Sequence, residues 1–243
     1  MTRSRRYGAV DSSIIEGLCR ASTRGSVYAM QLNARMLELV ETLTKKVRCL
    51  RREQVERLWF AHAKEPRVIC RQYLKRVEAA GLVTLANVMA PPEIDFNSPL
   101  LDWRPGNPEP LFDRLAWQAE SRLAHAATAT LLITATKKAQ SLTGGPIGTR
   151  PQRSAEIAHD LMTAAVYESF RHRHPDRAAS WKPEEAIVQE LFAERMSLIR
   201  ETIPDAIVVD GTEEIIIEIA GRYSASKLRS IHDAYKENRY ELW

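Results

Sequence analysis

Cysteine is scarce: Cys19, Cys49 and Cys70 are the only three in 243 residues, and no two stand in a CxxC pair. Thiols so few and so scattered exclude a disulfide framework and a Cys-based zinc site, and a reducing cytoplasm is the expected compartment. Glycine and proline, 10 and 12 in number, are too sparse for a collagenous or low-complexity chain. Long apolar runs are also missing. The nearest, Leu123 to Thr136, contains His125 and gives way to Lys137 and Lys138, so it reads as a buried helix or strand rather than a membrane span. The opening MTRSRRYGAV has basic residues with no apolar stretch after them, and neither export nor membrane insertion is expected. A Gly-rich phosphate loop, a nucleophile elbow and a His/Cys pair for covalent catalysis are all absent.

What the chain does have is an ordinary folded composition, 44% hydrophobic and 27% charged with both signs interspersed. That is enough to bury a core in one large domain or two small ones. The charge is distributed unevenly. Residues 1–90 hold 17 Lys/Arg against 8 Asp/Glu, whereas residues 91–243 hold 18 against 23. A basic third beside an acidic remainder suggests that the first part meets a polyanion, because a phosphate backbone rewards clustered cations with counterion release. A merely solvated basic surface is the competing explanation.

Residues 1–28 are basic, Ser-rich and aperiodic, as expected of a flexible arm. From Leu32 helical spacing begins. Leu32, Met36, Leu39, Val40 and Leu43 mark one helix; Val55, Leu58 and Trp59 mark a second, beginning near Arg51. A third runs from Pro66 to about Ala80, with Val68, Ile69, Leu74 and Val77 as its apolar positions and Gly81 as its stop. LVTLANVMA and LLDWRPGNPEP, separated by a Pro-containing loop, predict a hairpin-like addition. Residues 29–115 are thus expected to form a winged helix-turn-helix, residues 116–152 a connecting helix and linker ending in SLTGGPIGTRPQ, and residues 153–243 a second domain.

On the third helix Arg67, Arg71, Gln72, Lys75 and Arg76 make a long-reaching polar face opposite the apolar one. Arginine reads guanine and glutamine reads adenine in a major groove, whereas Lys75 and the flanking Arg51 and Arg52 are suited to phosphates. The plain alternative is an exposed helix kept soluble by its charge. KRVEAAGLV is the kind of exit that leads from such a helix into a wing strand, and Leu50 to Val83 resembles the winged-helix proteins that begin many plasmid and mobile-element genes.

A second constellation lies near the C-terminal end. Ala206–Val209 and Glu214–Ala220 read as strands about the turn signal Asp210-Gly211. If Val209 faces Glu214, paired indices sum to 423 and Asp205 lies opposite Glu218; with a shorter loop the two are diagonal, and either way they share a face. Glu218, between Ile217 and Ile219, is costly to bury without a partner. A divalent metal held by Asp205 and Glu218 would supply one; alternatively Glu218 caps an edge strand and faces water.

PDAIVVDGTEEIIIEIA resembles the core of the PD-(D/E)XK nuclease superfamily. That resemblance implies that Asp205 and Glu218 bind magnesium, and it places Ala220 where the family has its lysine. Lys227 on the next helix is then the replacement, with Glu184 assisting, if the site is active. More widely, RREQVERLWF, RQYLKRVEAAGLV, His159-Asp160-Leu161, Trp181 with Glu184, Pro204-Asp205 and IEIAGRYSASKLRSIHDAY, in that order, make the chain similar to the replication-relaxation family. This likeness implies an α+β fold, an N-terminal winged helix-turn-helix followed by a small α/β restriction-endonuclease-like domain. It implies sequence-directed duplex DNA binding in plasmid or mobile-element replication, transfer or transcription control, with an inactive nuclease-like domain; the alternative is a metal-dependent endonuclease using Asp205 and Glu218. The expected partners are double-stranded DNA, a second copy in a homodimer, and a mobile-element protein, with no membrane. A protein-binding adaptor whose basic arm is incidental is the third reading. His159 beside Asp160 is discounted as a metal site for want of further ligands at local spacing. His172 and His174 read as a solvated helix end, and Trp59, Trp117 and Trp181 as core.

Overall fold

In this computed structural model residues 33–148, 154–193 and 203–243 are described. The expected basic arm at 1–28, with Cys19, lies outside them. The described residues form a mixed α and β fold with two sheets.

Helix α1 (Ala34–Lys45) buries Met36, Leu39, Val40 and Leu43, the expected apolar stripe. After β1 (Cys49–Arg51), helix α2 (Arg52–Phe60) starts where the Gln54 side chain accepts the Arg51 backbone N–H at 2.8 Å, which satisfies a group at the helix start. Helix α3 (Pro66–Ala79) carries Pro66 in its first turn and ends before Gly81, whose φ of +71° suits glycine. Strand β2 (Val83–Ala90) follows.

Strand β2 does not pair with the next strand-like run. Residues 91–127 make an excursion containing β3 (Leu101–Trp103) and helix α4 (Phe112–Arg122), after which β4 (Thr128–Ala135) returns to pair antiparallel with β2 along its whole length, Val83 opposite Ala135 and Ala90 opposite Thr128. Strand β4 pairs on its other side with β1, so the first sheet is ordered β1-β4-β2. The expected local hairpin is therefore corrected: its second limb belongs elsewhere. Helix α5 (Lys137–Thr143) closes this part, its N-terminal Thr136 accepting the Ala139 N–H.

The long helix α6 (Ser154–Arg173) is followed by α7 (Pro175–Ser180), β5 (Lys182–Pro183), α8 (Glu184–Ala193), the hairpin β6 (Ala206–Asp210) and β7 (Glu213–Glu218), α9 (Ala225–Tyr235) and β8 (Tyr240–Leu242). These strands form a five-stranded sheet ordered β3-β8-β7-β6-β5, antiparallel except for the parallel pair β7-β8. The hairpin turns at Gly211, φ +65°. Helices α4 and α9 cover one face through Trp103, Phe112, Leu115, Leu228, Ile231 and Tyr240.

Sheet membership cuts across the expected divisions after residues 115 and 152. Strand β3, from the first expected domain, lies at the edge of the second sheet, and β4, from the expected connector, is the centre of the first. Helix α6 is a wall common to both: Ile157 and Leu161 pack with Cys49 and Leu132, and Phe170 meets the rings of Trp181 and Trp243 at 5.8 and 5.3 Å. Ala34–Trp243 accordingly makes one compact unit. The described part of the expected linker is packed too: Ile147 is buried, and its N–H is bonded to the Thr44 carbonyl at 3.0 Å. Among the described residues no helix is long and apolar enough to cross a membrane.

Candidate nucleic-acid interface and buried carboxylate pair

Helix α3 rests on Cys70, Tyr73, Leu74 and Val77, all buried. This leaves Arg67, Arg71, Gln72, Lys75 and Arg76 exposed together, the five residues expected to form the polar face. Arg67, whose side chain is 80% exposed, reaches Glu56 at 4.0 Å. The Lys138 ammonium donates to the Ala80 carbonyl at 2.8 Å and Thr136 to that of Gly81 at 2.6 Å, and these bonds fix the exit of α3 against the start of α5. Burial pushes the Cys70 thiol up to about 12, so it is a packing group without thiolate reactivity.

Two expectations on this face are corrected. Val68 and Ile69, assigned to the apolar side, are 41% and 39% exposed, because Cys70 and Tyr73 take the inward positions. Arg51 and Arg52, assigned to phosphates, are engaged within the fold. Arg51 is buried and donates to Thr130 Oγ1 at 2.9 Å and to the Pro91 carbonyl. Arg52 is paired with Glu53 and Glu56. The tryptophans also divide: Trp59 and Trp181 are core, whereas Trp117 on α4 is 69% exposed.

In the second sheet Ala206 faces Ile217 and Val209 faces Glu214, the 423 register, and one step further brings Asp205 opposite Glu218. Asp205 Oδ2 accepts the backbone N–H of Ile219 at 2.8 Å, tying the start of β6 to the end of β7. Glu218 is 9% exposed and stands on an interior strand, which excludes the edge-strand alternative. Its Oε2 is buried without a hydrogen-bond partner. Burial first, then the neighbouring Asp205 charge, raises the Glu218 pKa well above the usual carboxylate range, against the pull of Lys227. Lys227 itself stands exposed in the first turn of α9.

His159, discounted on local spacing, meets this pair from α6: its Nε2 lies 3.2 Å from Asp205 Oδ2. Burial would lower the imidazole pKa, but the Asp205 carboxylate outweighs it and the net shift is upward. Arg48, which nothing in its local sequence singles out, bonds to Glu184 at 2.7 Å, to Asp160 at 3.3 Å and to Glu185. Glu184 is held in turn by its backbone N–H on the Asp205 carbonyl, 3.0 Å.

The donor set is a poor fit for the magnesium that the nuclease resemblance implies. Asp205 Oδ2 is already shared by an imidazole and an amide, Glu184 faces a guanidinium, and burial disfavours the charged form of Glu218. Among the described residues no three His, Cys, Asp or Glu side chains are grouped to hold a metal. Comparison with known proteins adds no assignment: no family model, curated protein or solved structure matches the chain.

Proposed function

We propose that this protein binds duplex DNA. In this reading α1, β1, α2, α3 and the strands β2 and β4 act as a winged helix-turn-helix with α3 as the recognition helix, and the second sheet is a nuclease-like platform that does not cleave. The observation that carries the reading is the outward face of α3. Arg67, Arg71, Lys75 and Arg76, with Gln72 among them, are exposed on one rigid helix whose other side is fully packed. Such a face supplies phosphate neutralisation and base-edge donors together. The order helix, strand, helix, helix, strand, followed after the excursion through β3 and α4 by the central strand of the first sheet, supports it further. With the resemblance to the replication-relaxation family, the setting is replication, transfer or transcription control of a plasmid or mobile element in the cytoplasm. A homodimer on a symmetric site and a second mobile-element protein are the partners this setting suggests.

The rival reading, a metal-dependent endonuclease, draws on the juxtaposition of Asp205 and Glu218 and on the unpartnered Glu218 oxygen. Incubation of the protein with supercoiled plasmid and Mg²⁺ or Mn²⁺ separates the two. The expected result is salt-sensitive binding with the plasmid left intact. Nicking that disappears in Asp205→Ala would overturn the non-cleaving half of the proposal, and affinity indifferent to salt would overturn the DNA-binding half.

A further inference from the structure

Two apolar side chains stand exposed in the first turn of α3, where packing gives no reason for them. At 3.6 residues per turn, Val68, Gln72, Lys75 and Ala79 follow one another at spacings of four, three and four, on a line opposite the buried stripe of Cys70, Tyr73, Leu74 and Val77. All four are exposed. Val68 and Gln72 are therefore the outermost residues of the helix's N-terminal half, with Arg71 on one flank and Ile69 on the other. An isolated exposed valine is ordinary on a protein surface. One at the crest of a cationic face, a turn from the only amide on that face, has a chemical counterpart in a major groove.

We infer that Val68 and Gln72 read neighbouring A·T pairs, Val68 packing on the 5-methyl of a thymine and Gln72 bonding to N6 and N7 of an adenine. The inference rests on the DNA-binding reading of α3 and extends it to the class of site. The groups match in kind: thymine alone presents a methyl in the major groove, and adenine alone presents the donor and acceptor pair that a carboxamide meets with both of its atoms. They also match in spacing. Four residues of helix rise about 6 Å, and base pairs are about 3.4 Å apart, so the two side chains reach positions within about two steps of each other. The flanking Arg67, Arg71 and Arg76 lie toward the backbones, where they hold the register of the helix on the duplex.

The test uses the full-length protein and a duplex selected by it from a randomised pool. Each thymine of that duplex is replaced singly by deoxyuridine, which removes only the methyl group, and each adenine by 7-deazaadenine, which removes only N7. At one thymine the wild-type protein is expected to lose about fourfold in affinity, the worth of one buried methyl group, and Val68→Ala to lose nothing further there. At a nearby adenine the 7-deaza change is expected to cost about tenfold, and Gln72→Ala to be indifferent to it. Both residues are exposed, so neither substitution threatens the fold. Tight, salt-dependent binding in which no thymine methyl matters, or in which Val68→Ala remains as sensitive as wild type, overturns the inference and leaves the DNA-binding reading standing. Failure to bind any duplex overturns both.

Discussion

Replacing Glu218 with glutamine keeps the shape of the side chain and removes its charge. In the wild type Oε2 is buried without a partner, and the folded protein must either keep a proton there or hold a carboxylate beside Asp205. Because the folded-state pKa is raised above the ordinary 4.5, the native state binds more protons than the unfolded chain once the pH passes that value. Stability then falls as pH rises through the window between the two pKa values, and the loss is complete above the folded-state one. Glutamine escapes that loss. A buried polar group left without a partner costs on the order of 2 kcal/mol, and a charged one no less, and a chain of this size gains about 2–4 °C in Tm per kcal/mol. Glu218→Gln is therefore expected to melt about 4–8 °C above wild type at pH 8 and to match it near pH 4. Circular-dichroism melts at pH 4, 6 and 8 measure the difference. Equal melting temperatures at pH 8, or a less stable variant there, would refute the reasoning by showing that the carboxylate is compensated in the native protein.

Three further substitutions have definite outcomes. A Cβ on Gly145 would stand 2.2 Å from the Thr44 carbonyl oxygen, so Gly145→Ala should cost about 1–3 kcal/mol of stability by overpacking, read from denaturant midpoints. Arg51→Ala strips donors from the Pro91 carbonyl and Thr130; it should lower stability by about 1–3 kcal/mol while leaving the salt dependence of DNA binding unchanged. His159 has a raised folded-state pKa, so its bond to Asp205 stabilises fully below the ordinary 6.5 and is lost as pH rises through the higher value. His159→Asn should accordingly be destabilised by about 1 kcal/mol at pH 6 and be near wild type at pH 9, in melts extended to that pH.

What the sequence made legible was mostly local. The helical spacing of Met36, Leu39, Val40 and Leu43 is enough for α1, and Pro66 and Gly81 bracket α3. The Asp205–Glu218 juxtaposition is readable because an even loop keeps two residues on one face of a hairpin, and the 423 register is the one observed. Partners distant in sequence are not readable. Nothing in LVTLANVMA says that Leu85 will face Ile133 rather than a residue of the next strand-like run. Tyr240–Leu242 pairs in parallel with β7, an arrangement with no local signature. The His159–Asp205 contact and the Arg48 ion pairs join segments far apart in the chain, and charge patterning sees only neighbours. Val68 and Ile69 escape the helical pattern for a different reason. Apolar residues compete for one buried stripe, and here a thiol and a phenol ring occupy it.

The central claim, that α3 is a duplex-reading face, is tested most directly by the double variant Arg71→Ala, Lys75→Ala in equilibrium binding to duplex DNA across a salt series. Both side chains are exposed, so the variant should melt like wild type. Its affinity should fall at least about tenfold at low salt, with the slope of log K against log salt shallower by about one for each phosphate that is no longer neutralised. Unchanged affinity and slope in a well-folded double variant would contradict the account.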